Sequence, residues 1–328
     1  MTEYRPNFIP LKVHQQSSGF TTSKPVVLTI GTFDGVHAGH LAVIDVLKQK
    51  AKEINGETAL LTFEPHPRVI LHPENHGLKL LTDINERIKL LDKSGLDHVI
   101  IEEFNMELAS LSPLEYVRKI LSNGIKPSVI VIGDDHRYGR NREGNFESLR
   151  EMGALLGFKV VALAAEFVND VRVSSTKIRD AIKAGRVDYA SKLLTRPFPM
   201  SGLVVAGEKI GRTIGFPTAN LQIETKLKIY PDNGVYAVLT RLKGDKQWLK
   251  GMLNIGNRPT ISFSEDPTIE VHVFNFDEDC YGKTIEVLFI NRIRDEVKFN
   301  SLNELKITLE QDKKAACEVL GNINSTEL

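Results

Sequence analysis

The sequence predicts two successive folds, an α/β domain built on a parallel sheet and then a mainly β domain. In the first half, short apolar runs alternate with helical patterns, and such alternation is typical of a parallel sheet with helices on both faces. After about Pro199, strand patterns follow one another with only turns between them, which indicates an antiparallel barrel or sandwich. A chain of 328 residues is also too long for one ordinary core.

The predicted strands of the first half are five short apolar runs, at residues 26–30, 59–63, 98–101, 129–132 and 159–163. A helix is predicted over residues 41–51, where apolar residues share one face. Another begins at Ser112, because Pro113 and Glu115 follow it in a capping-box arrangement. Ligands of such sheets bind at the carboxyl ends of the strands, near the helix N-termini.

The predicted strands of the second half lie at residues 202–206, 235–242, 248–255, 269–276 and 284–291. Gly244 and Asp245 mark a hairpin turn between two of them. An apolar stripe over residues 301–319 predicts a helix that closes the fold. The segment 184–199 joins the two halves.

Composition narrows the classes of function. Lys plus Arg equals Asp plus Glu, at 42 each, so the chain lacks the basic excess that duplex nucleic acid or an anionic membrane demands. Cys280 and Cys317 form no C-x-x-C pair, which indicates reduced thiols rather than a zinc site or disulfide. There is no signal-peptide pattern and no apolar run near the ~20 residues that span a bilayer. We therefore expect a cytoplasmic protein.

The loop after the first predicted strand holds two histidines spaced for one phosphate group. Residues 31–40 contain Gly31 and Gly39, which allow close backbone approach, and His37 and His40, three residues apart. The following helix N-terminus favours phosphate, and two imidazoles there can neutralise charge that develops on an α-phosphoryl group. A glycine turn with surface histidines is the alternative, and the strand-to-helix position favours the phosphate site.

A second candidate anion site follows the last predicted strand of the first half. Ser174, Ser175 and Thr176 offer hydroxyls and helix N–H groups, and Lys177 and Arg179 offer positive charge. Taken alone, this cluster is better explained as a helix N-cap followed by a solvated basic turn.

These two motifs, in this order, resemble those of the nucleotidylyltransferase superfamily. Two further motifs, at residues 62–67 and 133–144, make the chain similar to the prokaryotic bifunctional riboflavin kinase/FAD synthetase family. The resemblance implies a Rossmann-like domain over residues 1–184 that transfers AMP from ATP to FMN and releases pyrophosphate.

The resemblance also implies the roles of residues in that domain. His37, His40 and Arg179 would be catalytic. The residues implied to bind ATP or its phosphates are Gly31, Phe33, Asp34, Gly39, Asp135, Ser174, Ser175 and Thr176. Those implied to bind flavin are Phe63, Pro65 and His66, although Pro65 and Pro67 are also compatible with a rigid loop that binds nothing. Two positions depart from the family pattern. Aromatic residues are usual at both His136 and Tyr138, and His136 is the less usual of the two; an acid is usual at Asn145.

A second glycine-rich element lies in the other half. No G-x-x-x-x-G-K-[ST] motif occurs in the sequence, which argues against a P-loop kinase. Instead, Gly207, Gly211 and Gly215 can form a loop over phosphates, and Thr218 and Asn220 supply neutral oxygens suited to magnesium. A plain glycine-rich connection between strands is the alternative.

Residues 207–220 closely resemble the riboflavin kinase motif in which the Thr and Asn bind Mg²⁺ and ATP. Stretches at 254–260, 269–274 and 292–299 agree with the same family. The resemblance implies an antiparallel Greek-key β-barrel over residues 185–328 with a C-terminal helix. It implies that Glu270 is the catalytic base and that Arg294 lies beside the flavin.

The sequence thus predicts an ATP-dependent transferase that phosphorylates riboflavin to FMN and then adenylylates FMN to FAD. Its partners would be the small molecules ATP, riboflavin and FMN, with Mg²⁺ accompanying ATP; self-association stays open. One alternative is a riboflavin kinase with an impaired adenylyltransferase domain, because of the departure at His136. Another is a non-enzymatic nucleotide or RNA binder, which the balanced charge speaks against.

Overall fold

The computed structural model describes residues 10–74, 77–133, 135–163, 167–168, 171–207, 210–256, 267–321 and 323. The chain divides into two compact units, Met1–Ser175 and Thr176–Leu328. Within the described residues, no helix is both long enough and apolar enough to cross a membrane.

The first unit contains the predicted parallel sheet. Its strands are β1 Lys12–Gln15, β2 Val26–Ile30, β3 Glu57–Glu64, β4 His98–Glu103, β5 Val129–Gly133 and β6 Lys159–Leu163. Their order is β1-β4-β3-β2-β5-β6, and every pairing is parallel. The chain builds outward from β2 through β3 and β4, and then returns to place β5 on the other side of β2. The strand order therefore reverses at β2 and β5, which is where such sheets bind ligands.

Helices cover both faces of this sheet. They are α1 Ala38–Glu53, α2 Pro67–Leu71, α3 Ile84–Lys93, α4 Met106–Ser110, α5 Pro113–Tyr116, continued by a π-helical stretch Val117–Ile125, and α6 Phe146–Leu156. Adjacent residues of β2 enter two different apolar clusters, Leu28 on one face and Val27 on the other. The capping box predicted at Ser112 is confirmed, since its side chain accepts from the N–H of Glu115 while the Glu115 carboxylate accepts from the N–H of Ser112.

Strand β1 is an addition to the predicted sheet. It pairs with β4, and His14 Nε2 lies 3.0 Å from His98 Nδ1. His98 Nε2 in turn lies 3.0 Å from Glu57 Oε2. Since His98 is almost fully buried, this chain of polar contacts ties the edge strand to the interior. Beyond β6, a short hairpin of β7 Phe167–Val168 and β8 Val171–Arg172 precedes α7 Ser175–Lys183.

The second unit begins at the second residue of α7 and contains the predicted antiparallel barrel. Its further elements are α8 Val187–Leu194, β9 Phe198–Val205, α9 Ile210–Thr213, β10 Ala219–Gln222, β11 Gly234–Leu242, β12 Leu249–Gly256, β13 Thr268–Val273, β14 Thr284–Arg294 and α10 Leu302–Leu320. The barrel closes in the order β10-β13-β12-β11-β14-β9. Strands β11, β12 and β13 pair consecutively and β14 returns beside β11, which is a Greek-key arrangement.

Three elements of this unit extend the predicted set, and one of them, the short helix α9, lies in the glycine-rich run. Helix α8 lies in the segment interpreted as the join between the halves, and it packs on β9 and β14 of the barrel. Strand β10 lies in the glycine-rich run and pairs with both β9 and β13, which closes the barrel. The run is therefore partly strand.

Candidate active sites

In the first unit, the loop after β2 stacks three rings at the start of α1. The His37 and His40 rings lie 3.6 Å apart between centroids and nearly parallel, and Phe33 stacks on His40 at 4.3 Å. His37 is buried, and it caps α1 in a reciprocal arrangement with His40. The predicted pair of histidines thus shares one rigid geometry at a helix N-terminus.

The same capping contacts determine which ring nitrogen carries a proton. The N–H of His40 donates to Nδ1 of His37 at 3.4 Å, and the N–H of His37 donates to Nδ1 of His40 at 3.3 Å. Because a backbone N–H is the donor in both contacts, each Nδ1 is an acceptor, and the proton of the neutral ring sits on Nε2. Two Nε2–H donors are therefore part of the site, at the N-terminus of α1, where the helix dipole favours an anion.

Asp34 and Ser175 hold this loop from two sides. The Asp34 carboxylate is fully buried and accepts hydrogen bonds from the backbone N–H groups of Leu81 and Thr82. The Ser175 hydroxyl, at the start of α7, donates to the Asp34 carbonyl at 2.9 Å. The predicted Ser174 immediately precedes this helix, and Thr176 and Arg179 lie on it. The hydrogen bonds described for the Asp34 carboxylate are therefore all made with other residues of the protein.

The predicted flavin residues lie where β3 ends. Phe63 is part of the apolar core and packs edge-on against Phe104, with 5.8 Å between centroids. His66 is buried and caps α2, because its Nδ1 accepts from the N–H of Arg68 at 3.2 Å. Pro65, half-buried, joins them. All three belong to the carboxyl-terminal edge of the sheet, like the histidine loop.

The structure around the loop after β5 shows how His136 and Asn145 fit positions where the family usually has other residues. Burial lowers the pKa of His136 to about 4, so its ring is neutral at physiological pH and stacks parallel to Tyr138 at 6.2 Å. A neutral imidazole can thus take the place of the aromatic residue that the family usually has at position 136. Asn145 caps α6 by accepting from the N–H of Ser148 at 2.9 Å, a role that Asn and Asp fill equally well. The predicted Asp135 is exposed in this loop.

In the barrel, five residues on five strands stand in one line. Asn220 is opposite Glu270, Glu270 opposite Asn254, Asn254 opposite Val235, and Val235 opposite Arg294. Directly opposed residues of paired strands point to the same face of a sheet. Val235 belongs to the same apolar cluster as Ala316 and Leu320 of α10, so these residues lie on the outer face of the barrel, which α10 covers at Val235. We call these five residues the barrel row.

The glycine-rich run meets the barrel row at Glu270. The Thr218 hydroxyl donates to Glu270 Oε2 at 3.0 Å, and Asn220 is the strand neighbour of Glu270. Gly207 lies so close to the Asn220 side chain that a Cβ there would collide with its amide group. The structure thus brings together Thr218, Asn220 and Glu270, which the sequence assigned separately to metal binding and proton transfer. The predicted Gly211 lies in α9, and Gly215 follows that helix with φ +86°.

His272, two residues along the same strand, supports the run. Its Nδ1 lies 2.7 Å from the Pro217 carbonyl oxygen, and since a carbonyl only accepts, Nδ1 carries the proton. The ring is buried between Phe216 and Phe274. Its burial lowers the pKa of His272 below its usual range. His272 therefore contacts the backbone that carries Thr218 and has no direct contact with Glu270 among the described hydrogen bonds.

At the other end of the barrel row, Arg294 is held by the C-terminal helix. Its Nε and Nη2 donate to the two oxygens of Asp312 at 2.8 and 2.7 Å. Asp312 is buried on α10, and neither it nor Asn254 was assigned a role from the sequence. The stretch predicted at 254–260 is described only to Gly256; residues 257–260 lie outside the described residues.

Comparison with protein families agrees with the division of the chain into two parts, each with its own candidate site. A model described as FAD synthetase matches residues 20–177, and one described as riboflavin kinase matches residues 194–320.

Individual relatives cover nearly the whole chain. A bifunctional riboflavin kinase/FMN adenylyltransferase from Haemophilus influenzae is 38% identical over 88% of this chain and 92% of its own length. Those from Escherichia coli K12 and Bacillus subtilis 168 are each 36% identical, over 90% of this chain and 93% of theirs. Among solved structures, one described as a macrolide-efflux protein from Streptococcus pneumoniae has a TM-score of 0.85 and 30% identity, covering 96% of this chain and all of its own. That description belongs to the other protein, and the likeness shows a shared fold.

Proposed function

Because this chain belongs to the bifunctional riboflavin kinase/FMN adenylyltransferase family, we propose that its two reactions occur at the two sites described above. The barrel row with the glycine-rich run would phosphorylate riboflavin. The histidine loop at the sheet edge would adenylylate FMN. The family establishes that the enzyme carries out both reactions, with ATP as the donor in each; the assignment of individual residues is our proposal.

The contact between Thr218 and Glu270 carries the proposal for the kinase site. The riboflavin hydroxyl is neutral and must lose a proton as it attacks the γ-phosphoryl group, so a carboxylate within reach is the expected base. Thr218 donates to one oxygen of Glu270, which orients the carboxylate and leaves the other oxygen for the substrate hydroxyl. Arg294 lies three strands from Glu270 along the barrel row. The likeness of residues 292–299 to the riboflavin kinase family supports its place beside the flavin.

The residues present fit a magnesium ion delivered with ATP. Mg²⁺ prefers oxygen ligands and usually takes only one or two from the protein, with the rest from phosphates and water. The Thr218 hydroxyl and the Asn220 amide oxygen are neutral oxygens beside a carboxylate. When bound, the ion would offset the negative charge of the phosphates. Gly207, Gly211 and Gly215 would let the backbone of the run approach those phosphates.

For adenylylation, the paired Nε2–H donors of His37 and His40 carry the proposal. The phosphate of FMN attacks the α-phosphorus of ATP and pyrophosphate leaves, so negative charge grows on the α-phosphoryl oxygens. Two preorganised donors at a helix N-terminus stabilise that charge. Further ATP contacts are proposed for residues at loops and at the α7 N-terminus: Gly31, Phe33, Gly39, Asp135, Ser174, Ser175, Thr176 and Arg179. Asp34, whose carboxylate is buried against Leu81 and Thr82, would hold this loop rather than bind ATP through that group.

The flavin of this step would lie against the end of β3. Pro65 and His66 are at the carboxyl edge of the sheet, and Phe63 supplies an apolar surface beneath them. A flat aromatic ligand matches a turn that presents a proline and an imidazole. Since ATP drives both steps, we place the enzyme in the cytoplasm.

We further propose that the boundary between the two enzymes lies near residue 184, with residues 185–328 forming the kinase. Helix α8 packs on strands β9 and β14 of the barrel, so a fragment that begins at Gly185 keeps these contacts. This fragment should convert riboflavin to FMN and make no FAD. A folded fragment without kinase activity would contradict either the boundary or the site.

One time course tests the whole assignment. The chain is incubated with riboflavin, ATP and Mg²⁺, and FMN and FAD are followed by chromatography. FMN should rise first and FAD after a lag. FMN that accumulates without FAD would instead support the kinase-only alternative.

A further inference from the structure

A buried hydrogen-bond cluster fastens the histidine loop to the segment before α3. The Thr82 hydroxyl donates to Asp34 Oδ1 at 3.2 Å and accepts from the N–H of Gly35 at 3.0 Å. The N–H of Thr82 donates to the same carboxylate at 2.9 Å, and the N–H of Leu81 donates to both of its oxygens. Thr82 is 1% exposed and Asp34 is 0% exposed, so water does not compete for these contacts.

A second connection runs alongside it. The Thr62 hydroxyl donates to the carbonyl oxygen of Thr32, at the start of the same loop, at 3.2 Å. Arg87, fully buried on α3, donates to the Thr62 hydroxyl at 3.4 Å. Burial lowers the pKa of Arg87, while the nearby negative charge of Asp34 opposes that shift. The guanidinium thus helps to balance the buried carboxylate.

The loop between these connections has an unfavourable backbone. Phe33, Gly35 and Val36 have φ values of +49°, +87° and +39°. A β-branched residue such as Val36 rarely adopts positive φ, and such a conformation persists only where the surroundings enforce it. The contacts of Thr82 fall on Asp34 and Gly35, between Phe33 and Val36. Val36 is followed directly by His37.

We propose that Thr82 is a positioning residue for FMN adenylylation. Its hydroxyl holds Asp34 and Gly35 in the conformation that stacks Phe33, His40 and His37 and aims the Nε2–H groups of both histidines at the α-phosphoryl group. The proposal rests on the assignment of those histidines to ATP given above. Thr82 itself touches neither ATP nor flavin.

The chain contains a matched control in Thr58. It is also 1% exposed, its hydroxyl donates to Asp97 Oδ2 at 2.8 Å, and the hydroxyl accepts from a backbone N–H, that of Asp97, at 2.9 Å. The N–H of Thr58 donates to the same carboxylate, as the N–H of Thr82 does to that of Asp34. Thr58 lies at the amino-terminal end of β3, the edge of the sheet away from the histidine loop. The two threonines therefore differ in place and share their chemistry.

The test compares Thr82→Val, Thr82→Ser and Thr58→Val in the full chain. FAD formation from FMN and ATP gives kcat and KM, riboflavin phosphorylation in the same preparation is the internal control, and thermal unfolding reports stability. Thr82→Val should lower kcat for FAD formation by roughly 10- to 100-fold, the size expected of a small misplacement at the reacting centre, with less change in KM. Thr82→Ser should recover most of that loss, and Thr58→Val should unfold at a lowered temperature yet keep both activities.

Thr82→Val with the same FAD synthesis as Thr58→Val would overturn the proposal, as would equal losses in Thr82→Val and Thr82→Ser. If Thr82→Val loses the unfolding transition of the first unit, Thr82→Ala replaces it under the same criteria, since it removes the hydroxyl without placing a methyl against Asp34. A His40→Ala variant, measured alongside, separates the assignment of the histidines to ATP from the proposed role of Thr82. Unchanged FAD synthesis there overturns the histidine assignment and this proposal together, whereas an inactive His40→Ala beside an active Thr82→Val overturns only the role of Thr82.

Discussion

The two sites that we propose for ATP are built in different ways. In the first unit, the stacked imidazoles and nearby backbone N–H groups come from one loop with positive φ at Phe33 and Val36, and its buried Asp34 is hydrogen-bonded to Thr82. In the barrel, strand register sets the order of the functional side chains, with Glu270 between Asn220 and Asn254. The first site therefore depends on a few buried hydrogen bonds, while the second depends on the pairing of whole strands.

The difference follows from the nucleophiles. The phosphate of FMN is already anionic, so adenylylation needs charge stabilisation and no strong base. The hydroxyl of riboflavin is neutral, so phosphorylation needs a proton acceptor. Imidazole N–H donors suit the first task, and a carboxylate beside neutral oxygens suits the second. Substitutions at either site should therefore affect one reaction and leave the other as a control.

The largest effect is expected for Glu270→Gln. Loss of a general base typically costs about 10²–10⁴ in turnover, and the amide keeps the shape of the side chain, so flavin should still bind. FAD formation from supplied FMN should be unaffected. His272→Ala should cost much less, because His272 contacts the Pro217 carbonyl rather than the reacting groups. The measurement is the kinase turnover of both variants. A larger loss in His272→Ala than in Glu270→Gln would exclude Glu270 as the base.

His37→Ala and His40→Ala should each reduce FAD synthesis by roughly 10² or more, as expected when a preorganised donor is lost from a developing charge. Riboflavin phosphorylation should continue at its normal rate, which makes that reaction the control for intact folding of the barrel. Equal loss of both activities would point to a folding defect or a misassigned site.

Thr218→Ala and Asn220→Ala should weaken the use of Mg-ATP in the kinase step only. We expect roughly a 10- to 100-fold change, the equivalent of one lost contact to a charged group. Titration with Mg²⁺ should restore part of the rate if metal affinity is the cause. A kinase unchanged in either variant would exclude that residue from the metal site.

Local patterns in the sequence predicted much of both units. Strands β2 and β6 match the predicted bounds, and the cap at Ser112 follows from three neighbouring residues. Strand β1 could not be predicted in this way, because it is a mostly exposed edge strand that contacts β4 more than 80 residues away. Strand β10 is short and lies in a glycine-rich run, where local propensity indicates a loop.

Local sequence patterns predict the candidate sites only in part, for the same reason. The histidine pair and the glycine-rich run are contiguous motifs, so sequence alone could point to them. Thr82 meets Asp34 across 48 positions, and no periodicity or motif marks such a contact. Asn254 and Asp312 likewise gain their places only from barrel register and from the packing of α10. Residues that support a site are therefore defined by tertiary contacts, whereas the histidine pair and the glycine-rich run were visible because they are contiguous in the sequence.

The smallest effect we predict concerns Asp312, which supports the barrel row from outside. Its carboxylate is buried on α10 and binds the Arg294 guanidinium through both oxygens, a geometry that fixes the plane of that group. Asp312→Asn keeps the size of the side chain and one acceptor oxygen, but removes the charge and the second acceptor. Arg294 stays in place with a looser orientation, so flavin binding should weaken by at most about tenfold, equivalent to roughly 1.4 kcal/mol. The loss should fall in KM for riboflavin and leave kcat nearly unchanged, because Glu270 and Thr218 lie at the other end of the row. Glu310→Gln, on the exposed side of the same helix, is the control for a general effect of lost charge on α10. Steady-state kinetics of both variants provide the measurement. A fall in kcat with unchanged KM would show that Arg294 acts on the reacting groups rather than on flavin binding.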